Sequence, residues 1–223
     1  MTIYVTPIVE GETERLCVKI LLSRIWRELI AGDEFAPLAV LPPLVTKRSA
    51  FVKKTHPQIE ESIGRSGEAL QRVLRRCPTD KGFILILIDA EKDCPATLGP
   101  ELMMRAKLVR GDMDIACVLV KRELENWFKA AAASLAGVGG LPIDLVASSD
   151  AEVGSGDAWL TAQKRRVDPK SVYKKPDDAV ELAKAMDLAV CRVNSPSFDK
   201  LCRELADRVP APPPVAPEPE VPG

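Results

Sequence analysis

Eight acidic residues fall in three short runs, and each run lies at or just beyond the end of an apolar segment. Glu10, Glu12 and Glu14 come after residues 3–9, Asp89, Glu91 and Asp93 after residues 83–88, and Glu123 and Glu125 after residues 114–120. Carboxylates that converge raise one another's pKa, because each disfavours ionisation of the next. A divalent cation resolves that conflict. The chain has one histidine, His56, and no CxxC pair among its six cysteines, so a Cys/His zinc centre is excluded. Oxygen donors without thiolate or imidazole suit Mg²⁺ or Mn²⁺, and such ions commonly serve phosphodiester chemistry. A plainer role competes at each position, since acids in a first helical turn complement the macrodipole. Glu12 is best read that way. Glu10 and Asp89 are not, because each sits on a strand end.

The elements that must position these acids follow from hydrophobic periodicity. Residues 3–9, 37–41, 83–88 and 114–120 read as strands, with Pro42-Pro43 ending the second. Helices are expected over 12–31, 57–76, 97–108 and 123–135. The continuous apolar run 83–88 suits a strand covered on both faces. Four strand–helix alternations predict an α/β fold, a mainly parallel sheet of about four strands with helices on both faces. The acids then gather at the carboxyl ends of the strands, where open α/β sheets place their sites. Residues 136–159 are rich in Gly, Ser and Asp and read as loop. Helices near 177–190 and 196–208 form a C-terminal helical extension, the second opened by a Ser195 cap and Pro196. The domain expectation is 1–136 for the α/β unit, 137–209 for an extension packed on it, and 210–223 for a disordered tail with seven prolines in fourteen residues.

The 223 residues are 46% hydrophobic and 28% charged, with a formal net charge of −1. Overall charge thus points neither toward nor away from nucleic acid, and only local clusters can speak to it. Lys47, Arg48, Lys53 and Lys54 form one basic run. Lys164, Arg165 and Arg166, with Lys170, Lys174 and Lys175, form another. Both fall in expected loops, where they could hold a phosphate backbone without reading sequence. Charge runs in loops are as often plain solvated surface. Trp159 could stack on a base, whereas Trp26 and Trp127 lie in amphipathic patterns that favour core packing. His56 beside Pro57 reads as a helix-start residue. No apolar stretch approaches the roughly 20 residues of a membrane span, and no signal peptide is evident, so a cytoplasmic protein with no membrane partner is expected.

Two stretches resemble the Toprim domain. "IVEGETE" is similar to its glutamate motif, and "LILIDAEKD" to its aspartate motif. "VEGETE" (Val9–Glu14), "DAEKDCP" (Asp89–Pro95), "RELENW" (Arg122–Trp127) and "SPSF" (Ser195–Phe198) together resemble a Toprim-like family related to the OLD (overcoming lysogenization defect) nucleases, over roughly residues 3–208. The resemblance implies a Mg²⁺- or Mn²⁺-dependent nuclease. Glu10 and Asp89 would be principal ligands, Glu91 or Asp93 would complete the site, and Glu123 and Glu125 would assist a second ion. Glu10 or Glu14 would take a proton from the attacking water, making Glu10, Glu14 and Asp89 the catalytic candidates. Glu91 stands where many Toprim domains carry aspartate. OLD enzymes carry an ATPase domain. This chain has no GxxxxGK[ST] loop, so the resemblance implies a separately encoded ATPase and a setting in phage defence. Two alternatives stand beside it: a small Toprim ribonuclease processing structured RNA, and a non-catalytic binding subunit of a larger complex.

Overall fold

The computed structural model describes residues 1–31, 36–49, 58–146, 148 and 150–210. Lys53, Lys54, His56 and the proline-rich segment 211–223 lie outside the described residues. The fold is α/β, with a parallel sheet flanked by helices and a C-terminal helical stretch. Among the described residues five strands form that sheet: β1 (Ile3–Val9), β2 (Leu38–Val40), β3 (Leu44–Val45), β4 (Lys81–Asp89) and β5 (Asp114–Val120). Their order is β2-β1-β4-β5, with β3 also on β1, and every pairing is parallel.

The fifth strand, absent from the sequence expectation, has a backbone cause. Leu41 donates its N–H to the Val5 carbonyl (2.9 Å) and Thr46 to that of Val9 (2.8 Å), so odd residues of β1 face this edge. Pro7 is in phase with them and has no N–H to offer. Opposite it the partner is interrupted by Pro42-Pro43, which also lack donors. One edge partner is thereby split into β2 and β3.

The helices are α1 (Glu12–Ile25), α2 (Gln58–Leu74), α3 (Pro95–Val109), α4 (Glu125–Ala130), α5 (Gly156–Val167), α6 (Asp177–Ala185), α7 (Leu188–Asn194) and α8 (Pro196–Ala206). The expected helix 12–31 changes character at its end: Trp26–Ile30 is a π turn, in which Ala31 N–H bonds the Trp26 carbonyl at 2.8 Å. The expected helix 177–190 is divided, because Met186 leaves the helical region and the Asp187 carboxylate caps a new helix by accepting from Val190 N–H (3.0 Å). The expected loop 136–159 contains the start of α5, capped by Ser155, whose hydroxyl accepts from Ala158 N–H. Ser155 and Ser195 are thus both helix caps, the latter accepting from Phe198 N–H (3.2 Å).

Alternation along β4 divides the core in two. Phe83, Leu85 and Leu87 pack with α1 and the C-terminal helices, while Ile84, Ile86 and Ile88 pack with α2 and α3. Asp89 continues the odd series, so period two aims it at the α1 side. The C-terminal extension is integral to that core. Trp127 and Phe198 are fully buried, with ring centroids 5.1 Å apart and edge-to-face, and Trp127 Nε1 donates to Ser197 Oγ at 2.9 Å. The "RELENW" and "SPSF" segments therefore meet through packing. Trp26 is also buried, its Nε1 donating to the Ala36 carbonyl. Cys17, Cys117, Cys191 and Cys202 are buried free thiols, and Cys94 is exposed.

Candidate functional site

Strand register sets the acids level with one another. β1 and β4 pair from Ile3↔Lys81 to Val9↔Leu87, and β4 and β5 pair through Asp89↔Val120. Glu10, Asp89 and Glu123 therefore emerge at the same sheet edge. A depression of about 280 Å³ there is lined by Asp89, Glu91, Lys92, Arg122, Glu123 and Ser155. A larger cavity of about 660 Å³ lies apart from the acids' centre, between α3 and α8 against β5, and includes Met103, Leu119, Lys200 and Arg203. Its lining is mainly apolar, with Glu152 its one acid among the described residues, so the site is assigned to the smaller depression, which Asp89, Glu91 and Glu123 line.

Among the described residues, three buried carboxylate oxygens find no hydrogen-bond donor: Glu10 Oε2, Asp89 Oδ1 and Glu125 Oε2. An orphaned buried polar atom costs roughly 1–3 kcal/mol. Burial pushes the Glu10 carboxyl up to about 7, with the charges of Glu91 and Glu14 adding to the rise and Arg48 opposing it. Asp89 is raised well above the ordinary range, first by burial and then by Glu14, Glu10, Glu125 and Glu123. Glu14 is buried on the first turn of α1. A side chain at Gly11 would come within 2.8 Å of Glu14 Oε2, so the glycine of "VEG" admits that carboxylate. Glu12, by contrast, is exposed and paired with Arg15, the first-turn acid expected of it.

Two cations, the half-buried Arg48 and the partly exposed Lys175, hold the remaining acids. Arg48 was expected to face nucleic acid, but it turns onto the loop after β4. Its Nε donates to the Asp89 carbonyl (3.1 Å), its terminal nitrogens reach the Ala90 carbonyl and Asp93, and Glu91 lies 3.4 Å away. Its guanidinium is therefore already spent on neutralising the acidic loop. Glu91 takes a left-handed conformation (φ 48°), uncommon for a residue with a long side chain. Of the two candidates, Glu91 is the one whose charge acts on Glu10, whereas Asp93 is held by Arg48.

The second cation is Lys175, which the sequence grouped with the phosphate contacts. Its Nζ lies 3.0 Å from Glu125 Oε1, 3.5 Å from Asp157 and 3.8 Å from Glu123. Burial opposes its charge, yet Glu125, Glu123 and Asp157 hold its pKa above the usual lysine value. Glu125 is fully buried and also accepts from Tyr173 OH at 3.1 Å. Burial raises its carboxyl despite Lys175. At Glu123 burial works upward as well, but hydrogen bonds from Ser155 Oγ (2.7 Å) and Asp157 N–H (3.0 Å), aided by Lys175, bring the carboxyl below its ordinary value.

The segment that delivers Ser155 and Asp157 is fixed from α4. Asn126 Nδ2 donates to the Ala151 and Gly154 carbonyls, and Lys129 Nζ to those of Asp150 and Val153. A Cβ at Gly156 would strike the Glu125 backbone and lie 2.6 Å from Asn126 N, so only glycine lets α5 start there. Residues 9–206 match a family described as Domain of unknown function (DUF4276). The chain belongs to that family. No curated protein and no solved structure matches the chain.

The other basic residues divide. Lys164, expected on phosphate, is buried and paired with Asp178 at 2.5 Å, which removes it from any surface. Arg166 is exposed and paired with Asp144, while Lys47, Arg165, Lys170 and Lys174 are exposed. Trp159 is partly buried against the core. Among the described residues no three His, Cys, Asp or Glu side chains are gathered closely enough to hold a metal ion jointly. Among them, too, no helix is long and apolar enough to cross a membrane. Asp157, Tyr173 and Ser155 were not among the sequence candidates, and no spacing in the chain marks them.

Proposed function

We propose that this DUF4276 member is a divalent-metal-dependent phosphodiesterase acting on nucleic acid. The observation that carries the reading is the set of buried, donor-less oxygens on Glu10 and Asp89 at the level ends of two adjacent strands. Such oxygens call for a proton or a cation, and an all-oxygen set suits Mg²⁺ or Mn²⁺. Mg²⁺ usually takes only one or two protein carboxylates, so the absence of a three-carboxylate cluster is compatible with it. Glu10 and Asp89 would hold the ion, with Glu91 and Glu14 beside them. When bound it would supply Lewis-acid polarisation of a phosphate. The rise of Glu10 to about 7 belongs to the metal-free site, and a bound cation would lower it; by the Toprim resemblance, Glu10 or Glu14 would take a proton from water. Exposed Lys47, Arg165 and Lys170 are free to meet a phosphate backbone. The resemblance of Val9–Glu14 and Asp89–Pro95 to the Toprim acid motifs supports the same reading, and by the same analogy a separate ATPase would be its partner in phage defence.

A second reading, a non-catalytic binding subunit, is favoured by the neutralisation of five acids by Arg48 and Lys175 without any metal. Incubation of the full chain with plasmid, single-stranded DNA and structured RNA in Mg²⁺ or Mn²⁺ separates the readings. Cleavage that Glu10→Ala and Asp89→Ala reduce by about 100-fold or more is expected. Cleavage of RNA alone selects the ribonuclease alternative. Undiminished cleavage in both folded variants refutes the site, and no cleavage together with no Mn²⁺ binding selects the binding subunit.

A further inference from the structure

We propose that the cavity between α3 and α8 is a binding site for a small amphipathic carboxylate, an alkyl chain ending in one anionic head. The proposal goes beyond the acid-lined site and does not depend on it. The cavity measures about 660 Å³, within the range of roughly 300–1,000 Å³ that holds small ligands. Its walls follow from element periodicity. Pro95, Gly99 and Met103 recur every four residues along one face of α3. Pro196, Lys200 and Arg203 do so at spacings of four and three on α8, and Cys117, Leu119 and Lys121 alternate along β5. Both helices pack against β5. Gly99 leaves space between them: beyond its own helical turn, a Cβ there would first meet Leu119 Cδ1, at 3.9 Å.

The walls set the body of the ligand. Apart from its charged groups and Ser197, the described lining consists of Pro, Ala, Gly, Met, Leu and Cys, without an aromatic ring. A nucleobase would find no ring to stack on. An alkyl chain, in contrast, releases water from the proline, Leu119 and Met103 surfaces, and the unbranched Met103 adapts to its shape.

The charges set the head. Three cations, Lys121, Lys200 and Arg203, border the cavity against one acid, Glu152. Glu152 is engaged, its Oε1 accepting from Ser195 Oγ (2.6 Å) and Ser197 N–H (2.9 Å). Lys200 is paired with Glu204 (2.8 Å) and Arg203 with Asp199 (3.0 Å). Lys121, just past the end of β5, has no ion pair or hydrogen-bonded side-chain partner among the described residues. Its charge acts on the Cys94 thiol at the same mouth, where it adds to the bonds from the Ala96 backbone and from Thr97 that lower the thiol pKa. A carboxylate on Lys121 gains a charge-assisted bond while its chain covers the apolar wall. Cys94 reports on the site without being part of its chemistry.

Alkylation of the full chain by iodoacetamide, read by peptide mass spectrometry, tests this. Cys77, partly exposed and not among the lining residues, is the internal control. Octanoate is expected to slow alkylation of Cys94 about tenfold at about ten times its dissociation constant, taken from calorimetric titration, and to leave Cys77 unchanged. At the same concentration acetate, which lacks the chain, 1-octanol, which lacks the charge, and adenosine monophosphate, an anion without a chain, are expected to protect little. Lys121→Gln removes the counter-ion, and Gly99→Leu fills the cavity from a helical position that has room for a side chain and gains helix propensity by the change. Both are expected to abolish the protection, and Lys121→Arg to retain it. Because Lys121 also acts on the thiol, protection is the ratio of rates without and with octanoate in each protein. No protection in the wild type, or protection that survives either Lys121→Gln or Gly99→Leu, overturns the proposal. Equal protection by 1-octanol overturns the anionic head, and equal protection by acetate or adenosine monophosphate overturns the alkyl body; either result removes the assignment.

Discussion

Replacing Glu10 by Gln should make the metal-free protein more stable, and only at neutral to alkaline pH. An ordinary glutamate loses its proton near 4.5, whereas burial and the charges of Glu91 and Glu14 lift Glu10 to about 7. At about 1.4 kcal/mol per tenfold change in proton affinity, the folded state disfavours the ionised form by roughly 3 kcal/mol, and by about 2 kcal/mol once partial exposure is discounted. Because the folded pKa is the higher one, the folded state binds the proton more tightly. That contribution is fully present below about pH 4.5, is lost as pH rises toward about 7, and above that the ionised Glu10 burdens the fold in full. Gln cannot ionise, and it retains an acceptor for the Asp89 backbone hydrogen bond that Glu10 makes. Thermal melts in a chelator should therefore show the variant about 4–8 °C above wild type near pH 8, at 2–4 °C per kcal/mol for a chain of this size. Near pH 4.5 the difference should largely vanish. Addition of Mn²⁺ should reverse the order near pH 8, because only the wild type keeps the full ligand. A variant less stable than wild type near pH 8, or an offset that does not change with pH, would refute the electrostatic account of the site.

Three further outcomes follow from particular contacts. Trp127→Ala removes a fully buried ring together with its bond to Ser197 and its packing on Phe198. It should cost about 3–5 kcal/mol, read by urea denaturation, and should detach α8 from the sheet. Gly156→Ala forces a methyl group against the Glu125–Asn126 backbone. It should destabilise by at least about 1–3 kcal/mol and loosen the acids around Lys175, visible as loss of protection at Asp157 N–H, which donates to Glu123, in hydrogen exchange. Cys94 is exposed, and bonds from the Ala96 backbone and from Thr97 lower its thiol pKa. Alkylation near about pH 8 should reach it before Cys17, Cys117, Cys191 and Cys202, which are buried and whose pKa values burial raises. Mass spectrometry of the labelled peptides gives the order.

Local patterns carried much of this protein. The apolar runs at 3–9, 83–88 and 114–120 are long enough to specify buried strands without help, and their ends specify where Glu10, Asp89 and Glu123 emerge. Ser195-Pro196 announces a helix start because capping is a short-range bond. Tertiary structure decided the partners of the charges. Nothing in the spacing of the basic residues says that Arg48 and Lys175 reach back onto carboxylates, or that Lys164 is buried against Asp178 while Lys47, Arg165 and Lys170 stay exposed. The pairing of these charges depends on contacts spanning some fifty residues of chain, such as Lys175 with Glu125. An ion pair carries no local periodicity, since its energy depends on distance and burial, and both exist only after the chain has folded.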